Sequence, residues 1–319
     1  PTMYTRLSTV LIAVLMAGFL VGCQSSESEM PAYPFAQTWG ESGTAPGQFR
    51  EPIGIDIAAG EVFVSEAGNR RIQVFDRRGE PLRQIGPALG PEDTLQRPMH
   101  IATSHSALYV PDFNTDRTHV LSLQGELRRT LDGSDLSPGF DAPGGVAVDS
   151  AGRLYVADFY HHRVLRFNED GSFDRQWGET DSTGSAPERF TYPTDVAMLP
   201  DGGFVVADAY NHRIKRYRTD GTLAWMQPDN QNWADSTKGT FNVATAVATS
   251  PAGDIYVADF YNHRIQVFTP DGQFVQAFGK QGTGDGQFER PVDLALDAEG
   301  TLYVVDFGND RVQTFKPVN

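Results

Sequence analysis

Short apolar runs alternate with turn-forming residues along most of the chain, and four such runs make up one unit. In the unit that starts at Phe140, the turn segments are 150–152 (SAG), 160–162 (YHH) and 169–171 (EDG). Short runs rich in Val, Ile, Tyr and Phe, bounded by turn-forming residues, are typical of β-strands in antiparallel hairpins. The pattern therefore predicts units of four strands.

The unit occurs six times, at intervals of 45 to 51 residues. The copies begin at Phe49, Leu95, Phe140, Phe190, Phe241 and Phe288. A period in this range indicates a propeller or a solenoid, and four strands per repeat are typical of a propeller blade. We expect small residues where the innermost strands crowd the axis, at Ala102, Ala147, Ala197, Ala248 and Ala295, with Asp56 as the exception in the first blade. The predicted fold is all-β, a six-bladed β-propeller of four-stranded antiparallel blades.

The two ends of the repeat region complement each other. The sixth copy stops at residues 316–319, where its outermost strand would begin. At the other end, residues 35–40 (FAQTWG) resemble an outermost strand such as residues 274–279 (FVQAFG). We expect the N-terminal strand to complete the last blade and close the ring, which removes an open sheet edge.

Segments such as residues 255–265 (IYVADFYNHRI) closely resemble the NHL repeat, and the resemblance extends over residues 35–319. It implies the propeller fold but selects no activity, because this scaffold serves binding modules, peptidyl-hydroxyglycine lyases and relatives of lactonases. The lyases bind zinc through histidines beside the prolines that start the innermost strands. Here those places hold Met99, Gly144, Thr194 and Val292, so the resemblance does not carry the lyase activity to this chain.

The N-terminal segment has a different character from the repeats. Residues 11–21 form an unbroken run of apolar or small residues, and Arg6 is the only charge among residues 1–22. The run is short for a membrane-spanning helix and fits a signal peptide. It ends at Leu20-Val21-Gly22-Cys23, which resembles the lipobox of bacterial lipoproteins and implies that Cys23 is lipidated. An ordinary secretory signal with an incidental cysteine is the alternative.

The expected organisation follows from these boundaries. Residues 1–22 are a lipoprotein signal peptide, residues 23–34 a lipidated cysteine with a polar flexible tether, and residues 35–319 the propeller. The expected location is the bacterial cell envelope, lipid-anchored. Gln24, rather than Asp, follows the cysteine, which favours the outer membrane, facing the periplasm or the exterior.

The formal net charge of −15 limits the classes of partner. An acidic surface repels phosphate backbones and anionic headgroups, so we expect no nucleic-acid partner and no membrane contact apart from the lipid anchor. Cys23 is the only cysteine, so no disulfide can form within the chain and packing must hold the ring together.

Two polar features recur from blade to blade. An acidic residue is followed five positions later by Arg in the pairs Glu66/Arg71, Asp112/Arg117, Asp158/Arg163, Asp208/Arg213, Asp259/Arg264 and Asp306/Arg311. We expect each carboxylate to accept turn amides and to pair with its guanidinium, which is a structural role. Four histidines, His161, His162, His212 and His263, fall in one repeated turn of three different blades. A structural role is favoured for them too, because the ligands of a metal must converge on one point.

A third set of residues lies two positions after the start of each innermost strand, where the strand meets the central channel. The six blades carry Gly54, His100, Gly145, Asp195, Ala246 and Asp293 there. His100, Asp195 and Asp293 come from alternate blades and would surround one mouth of the channel. This arrangement would suit a divalent cation such as Ca²⁺ or Zn²⁺. The alternative is that the aspartates only cap the strands.

The last candidate site is a surface. The turn after each second strand and the loop before each blade open on one face, which collects Phe113, Phe159, Tyr160, Tyr210, Phe260, Tyr261, Phe307 and, in the long loop 229–240, Trp233. We expect Tyr160, Tyr210, Tyr261, Phe113 and Trp233 to form a ligand-binding face. The alternative is that these rings only pack between the blades.

Three functions remain open. The favoured one is a binding platform for protein, peptide or glycan ligands in the cell envelope, with no catalytic residues. The second is a metal-dependent lyase or lactone-type hydrolase at the channel mouth, and the third is a structural envelope component.

Overall fold

The structure is a computed structural model that describes residues 33–228 and 237–317. In these residues, strand β1 (Phe35–Trp39) precedes blade 1. Blade 1 contains β2 (Pro52–Ala58), β3 (Glu61–Glu66), β4 (Arg71–Asp76) and β5 (Pro81–Ile85). Blade 2 contains β6 (Ala102–Thr103), β7 (Ala107–Asp112), β8 (Arg117–Ser122) and β9 (Leu127–Leu131). Blade 3 contains β10 (Pro143–Val148), β11 (Leu154–Asp158), β12 (Arg163–Phe167) and β13 (Phe173–Trp177).

The second half of the ring repeats this order. Blade 4 contains β14 (Pro193–Met198), β15 (Phe204–Asp208), β16 (Arg213–Tyr217) and β17 (Leu223–Gln227). Blade 5 contains β18 (Ala244–Thr249), β19 (Ile255–Asp259), β20 (Arg264–Phe268) and β21 (Phe274–Phe278). Blade 6 contains β22 (Pro291–Leu296), β23 (Leu302–Asp306) and β24 (Arg311–Phe315). Single 3₁₀ turns follow β15, β19 and β23, at Ala209–Asn211, Phe260–Asn262 and Phe307–Asn309.

Six four-stranded antiparallel sheets form the ring, so the predicted fold class is confirmed. The predicted closure is confirmed too, because β1 pairs with β24 and completes the sheet of blade 6, with Thr38 opposite Gln313. Trp39 of this strand lies with its ring centroid 6.0 Å from Tyr303 in blade 6 and 6.3 Å from Phe75 in blade 1. The closing strand therefore joins the last blade to the first.

The core consists of layers between neighbouring blades. Every residue of the second strands β11, β15, β19 and β23 is buried, because each blade is covered on both sides by its neighbours. The aromatic residues that begin five of the repeats, Phe49, Phe140, Phe190, Phe241 and Phe288, are buried as well. Packing between blades thus takes the place of disulfides.

Tyr33, two residues before β1, packs against blade 5. The Tyr33 ring stacks on Phe278 with centroids 5.4 Å apart, and its hydroxyl hydrogen-bonds to the hydroxyl of Tyr256. The predicted signal peptide and Cys23 lie outside the described residues. Among the residues that the structure describes, no helix is both long and apolar enough to cross a bilayer.

Candidate functional site

Antiparallel pairing places the predicted features on one face of the ring. In blade 4, Pro193 at the start of the innermost strand pairs with Asp208, and Met198 at its end pairs with Phe204. The start of the first strand therefore lies beside the turn that follows the second strand. We call this side the upper face and the opposite side the lower face.

The ring of six residues at the channel mouth depends on a repeated β-bulge. The register of the innermost strand shifts after its first residue in five blades, for example between Pro193 and Asp195 and between Pro291 and Asp293. A bulge changes the direction of the following side chain. In blade 2 the innermost strand is only two residues long, and His100 lies in the irregular segment before it.

The structure brings His100, Asp195 and Asp293 together. One ligand atom from each residue lies within 4.8 Å of the others, and each residue is at most 5% exposed. The Asp293 carboxylate accepts hydrogen bonds from the backbone amides of Leu294 and Ile55, both at 2.8 Å. The Asp195 carboxylate accepts one from the amide of Val247 at 2.9 Å. The aspartates thus cap the strands and also converge on His100.

The alternation of large and small residues in this ring has a steric cause. A Cβ atom at Gly54 would lie 2.5 Å from the carbonyl oxygen of Met99 and 2.8 Å from the Cα of His100. A Cβ at Gly145 would lie 2.5 Å from an Asp195 carboxylate oxygen. These distances are shorter than carbon atoms tolerate, so the blades that flank His100 and Asp195 must leave room for them.

Burial and mutual charge change the pKa values of the cluster. Burial lowers the pKa of His100, but the carboxylates of Asp293 and Asp195 raise it more, so the net shift is upward. Burial raises the pKa of Asp195 to about 7, against the opposing effect of the His100 imidazole, and the nearby Asp293 carboxylate adds to the rise. Burial therefore makes the charged form of Asp195 costly, and the two carboxylates favour the protonated form of His100.

Below this cluster the channel is narrow. A cavity of about 200 Å³ runs from the level of Asp195 and Asp293 to the lower ends of the innermost strands. Asp56 lies on its wall and accepts hydrogen bonds from the Thr103 amide at 2.5 Å and the Thr103 hydroxyl at 2.8 Å, which joins blades 1 and 2. Burial raises the pKa of Asp56 to about 6 despite these bonds. The cavity is smaller than a typical small-molecule site, which occupies roughly 300 Å³ or more.

The predicted aromatic face exists on the upper side. Eight rings belong to it, and we call them the aromatic arc: Phe113, Phe159, Tyr160, Tyr192, Tyr210, Phe260, Tyr261 and Phe307. Phe159 contacts the rings of Phe113 at 5.7 Å, Tyr192 at 4.9 Å and Tyr210 at 6.3 Å. In the other part of the arc, Phe260 contacts Tyr261 at 4.8 Å and Phe307 at 6.3 Å.

Some rings of the arc are exposed, as expected for a ligand-binding face, and others pack between the blades. Tyr160, Tyr210 and Tyr261 are 46%, 50% and 53% exposed, whereas Phe113 is half-buried. Burial raises the pKa of Tyr210, and the neighbouring hydroxyl of Tyr261 contributes to this shift. Trp233, the fifth residue of the predicted face, lies outside the described residues.

Two residues of this face were not predicted from the sequence: Tyr192, which belongs to the arc, and Arg290, which lies against it. Tyr192 packs between Phe159 and Tyr210, and the Arg290 guanidinium lies 5.9 Å from the Phe260 ring centroid and 5.6 Å from that of Phe307. Both residues directly precede the proline that starts an innermost strand. This shared position in the repeat could have predicted both residues from the sequence, because it lies on the upper face in each blade.

The repeated acid and arginine form the expected ion pair in five blades. The Nε-to-carboxylate distance is 2.5 Å for Arg71 and Glu66, and 2.7 Å in blades 3 to 6. Each acid also accepts a backbone amide of the loop before its own blade, such as Asp158 from the amide of Asp141 at 2.8 Å. In blade 2 the predicted pair is wrong, because Arg117 pairs with Asp93 at 3.2 Å while Asp112 accepts the amides of Gln96 and Arg97.

The turn histidines join neighbouring blades. His162, His212 and His263 have a left-handed backbone, and each Nδ1 accepts a hydrogen bond from a backbone amide of the next blade. The donors are Tyr192 at 3.2 Å, Val243 at 3.1 Å and Arg290 at 3.1 Å. Asp116 and Asp310 accept the amides of Ala142 and Glu51 in the same way. His161 contacts Asp158 at 3.1 Å within its own blade. These contacts support the structural role that was favoured for all four histidines.

Four segments of the chain match a known repeat family. The NHL repeat family matches residues 140–167, 190–217, 241–268 and 288–315, which lie in blades 3 to 6. These four blades are NHL repeats. Protein brain tumor of Drosophila melanogaster is 28% identical to this chain over 144 residues, which are 44% of the chain but only 14% of that protein.

Solved structures that share the fold of this chain include the following two. A Bacteroides thetaiotaomicron protein of unknown function superposes with a TM-score of 0.68 at 17% identity, over 87% of this chain and 74% of the other. Virginiamycin B lyase of Staphylococcus aureus, solved with quinupristin, superposes with a TM-score of 0.56 at 17% identity, over 83% and 84%. At these identities the likeness concerns the fold alone.

Proposed function

We propose that the upper face of the NHL propeller is a binding platform for a protein or peptide partner. The observation that carries the proposal is the aromatic arc, whose three half-exposed tyrosines are held in place by half-buried rings. Large rings with few rotatable bonds lose little entropy when they bind, and Tyr and Arg are common anchors of protein interfaces. The arc offers both, since Arg290 lies against Phe260 and Phe307.

The partner should present apolar side chains beside basic ones. The net charge of −15 attracts basic segments and speeds their association, while the rings provide the apolar contacts. A partner segment that reaches Tyr160 and Tyr261 would cross three blades, which favours an extended peptide or a protein surface over a small molecule. The narrow channel supports the same choice, because it offers less space than small-molecule sites usually have.

Photo-crosslinking tests this proposal in cells of the source organism. A photoreactive amino acid would replace Tyr210 or Tyr261 on the upper face and, as matched controls, Phe173 or Leu82. The control residues are exposed apolar residues of outermost strands, 41% and 51% accessible. We expect protein adducts of defined mass at the two tyrosine positions only. The same adducts at all four positions, or adducts of carbohydrate alone, would contradict a protein-binding upper face.

The proposal also includes the location of the protein. We place the propeller in the cell envelope, anchored through lipid on Cys23, because the apolar run of residues 11–21 ends in a lipobox-like sequence. Several acyl chains anchor a protein stably, whereas a single chain does not. A lipid-anchored platform would hold its partner near the membrane surface.

A second candidate function is a lyase or lactone-type hydrolase with its site at the channel mouth. The convergence of His100, Asp195 and Asp293 favours it, and its substrate would have to reach this buried cluster. Lactone hydrolysis by the purified chain that disappears in Asp195→Asn would establish this function. Equal rates in the wild type and the variant would exclude a role of the cluster in such an activity.

A further inference from the structure

The channel mouth contains a buried polar atom that the protein itself does not satisfy. Nδ1 of His100 is buried and has no hydrogen-bond partner among the described residues. It lies 3.5 Å from a carboxylate oxygen of Asp293, but the geometry is not that of a hydrogen bond. Buried polar atoms are nearly always paired, so a buried nitrogen that makes no hydrogen bond and lies beside a carboxylate indicates a missing ligand.

The missing ligand should be positively charged. Asp195 and Asp293 are buried side chains at the same mouth, and among the described residues the His100 imidazole and backbone amides are the groups that oppose their charge. Removing carboxylates from water is costly unless a cation or a set of hydrogen bonds compensates. The amide hydrogen bonds leave further lone pairs on these oxygens, because a carboxylate has about four acceptor sites.

We infer that His100, Asp195 and Asp293 bind one divalent transition-metal ion, of the zinc class, at the upper mouth of the channel. One imidazole nitrogen and two carboxylate oxygens are a suitable set for Zn²⁺ or a similar ion, with open positions for water. Ca²⁺ fits less well, since it takes about six to eight oxygen ligands and this cluster offers two carboxylates.

The dimensions agree with this assignment. Metal-ligand distances of about 2.0 to 2.2 Å place the donors of one ion roughly 3 to 4 Å apart. The three donors lie within 4.8 Å of one another, so binding the ion would require movements of at most roughly 1 Å. Nearby Gly54 and Gly145 have no side chain that would fill the space.

The bound ion would act as a clamp on the ring. Its ligands come from blades 2, 4 and 6, and the bulges before Asp195 and Asp293 direct two of them inward. One ion would therefore link three alternate blades directly beneath the upper face. This inference does not rest on the proposed partner binding, because the cluster is buried and the rings that would meet the partner are not part of it.

Metal titration of the full chain, purified in detergent and stripped with chelator, tests the inference. Zn²⁺, Mn²⁺ and Ca²⁺ would be added separately, with binding followed by calorimetry and stability by thermal unfolding. We expect one Zn²⁺ per chain, a higher midpoint of unfolding, and weaker binding of Ca²⁺. His100→Ala should weaken Zn²⁺ binding by about 100-fold and Asp195→Asn by at least about 10-fold, as for lost metal ligands and their supports.

Two controls keep the test decisive. Asp56→Asn changes a half-buried carboxylate of the channel, and His105→Ala removes an exposed histidine; both should bind Zn²⁺ like the wild type. In Asp195→Asn, the remaining side-chain oxygen can still accept the hydrogen bond from the Val247 amide, so we expect this variant to fold. It therefore tests the metal site even if His100→Ala does not fold. Absence of 1:1 binding at submillimolar Zn²⁺, or full binding by both cluster variants, would overturn the inference.

Discussion

Nδ1 of His212 accepts a hydrogen bond from the backbone amide of Val243 in the next blade, at 3.1 Å. Both residues have a left-handed backbone with positive φ, and this conformation is unusual for a β-branched residue such as Val243. The turn of one blade thus stabilises a strained residue at the start of the next. The same contact occurs with His162 and His263, so the repeated histidine is a connection between blades.

Replacing this histidine should weaken the ring. We expect His212→Ala to lower the free energy of unfolding by about 1 kcal/mol, because one hydrogen bond is lost and the Val243 amide is left unpaired. His212→Asn should retain most of the stability, since Asn tolerates the left-handed backbone and its side-chain oxygen can accept the amide. Chemical denaturation would measure both, with the exposed His105→Ala as the control. Equal stability of His212→Ala and His105→Ala would argue against the connection.

The same histidines should make stability depend on pH. Burial lowers the pKa of His162 and of His212 from the ordinary 6.5, and their Nδ1 atoms must stay unprotonated to accept an amide. The charged groups that act on them are Asp181, His161, Asp158 and Asp208 for His162, and Asp259 and Asp208 for His212. The contribution is complete above the ordinary pKa, where both the folded and the unfolded states are neutral. It falls as the pH drops from there through the lowered pKa of the folded state, because the unfolded chain binds protons first.

A variant that cannot titrate at these positions isolates the effect. The double variant His162→Asn/His212→Asn should lose less stability than the wild type between about pH 7.5 and about pH 5.5. The measurement is the difference between the two denaturation midpoints for each protein. An equal loss in both proteins would mean that these histidines do not contribute to the pH dependence.

The buried ion pairs should matter more than the exposed ones. Asp158 and Arg163 pair at 2.7 Å with side chains 0% and 3% exposed, whereas Arg77 and Glu299 pair at the same distance with side chains 40% and 62% exposed. Asp158→Asn leaves a buried guanidinium without its carboxylate and should cost about 3 to 5 kcal/mol. Glu299→Gln should cost less than about 1 kcal/mol, since water screens the exposed pair. Denaturant unfolding of both variants would show whether this order holds.

The proposed lipid anchor predicts a simple labelling result. Wild-type protein expressed in a bacterium fed a labelled fatty acid should incorporate the label and remain in the membrane fraction. Cys23→Ser should lose the label, because only a thiol accepts the diacylglycerol in this reaction, while the propeller stays folded. Label that persists in Cys23→Ser would contradict lipidation at this residue.

The sequence determined the fold of this protein to an unusual extent. Local turn signals recur at a nearly constant spacing, so a single well-formed blade implied the others, and the missing outermost strand at one end matched the spare strand at the other. The acid and arginine repeat predicted a hairpin ion pair, which five of the six blades form. The exception is Arg117, which pairs with Asp93 because the loop before blade 2 presents a second carboxylate within reach.

The candidate sites depend on contacts between residues of different blades. The sequence placed His100, Asp195 and Asp293 at equivalent positions, but only the closed ring sets their donor atoms within 4.8 Å, since that distance depends on how closely the neighbouring backbones approach at Gly54 and Gly145. The packing of Tyr192 between Phe159 and Tyr210 likewise joins different blades. Hydrophobic pattern and turn chemistry act over short stretches of chain, and they determined the blades. Contacts between blades join residues that are distant in the chain, and only the tertiary structure decided those.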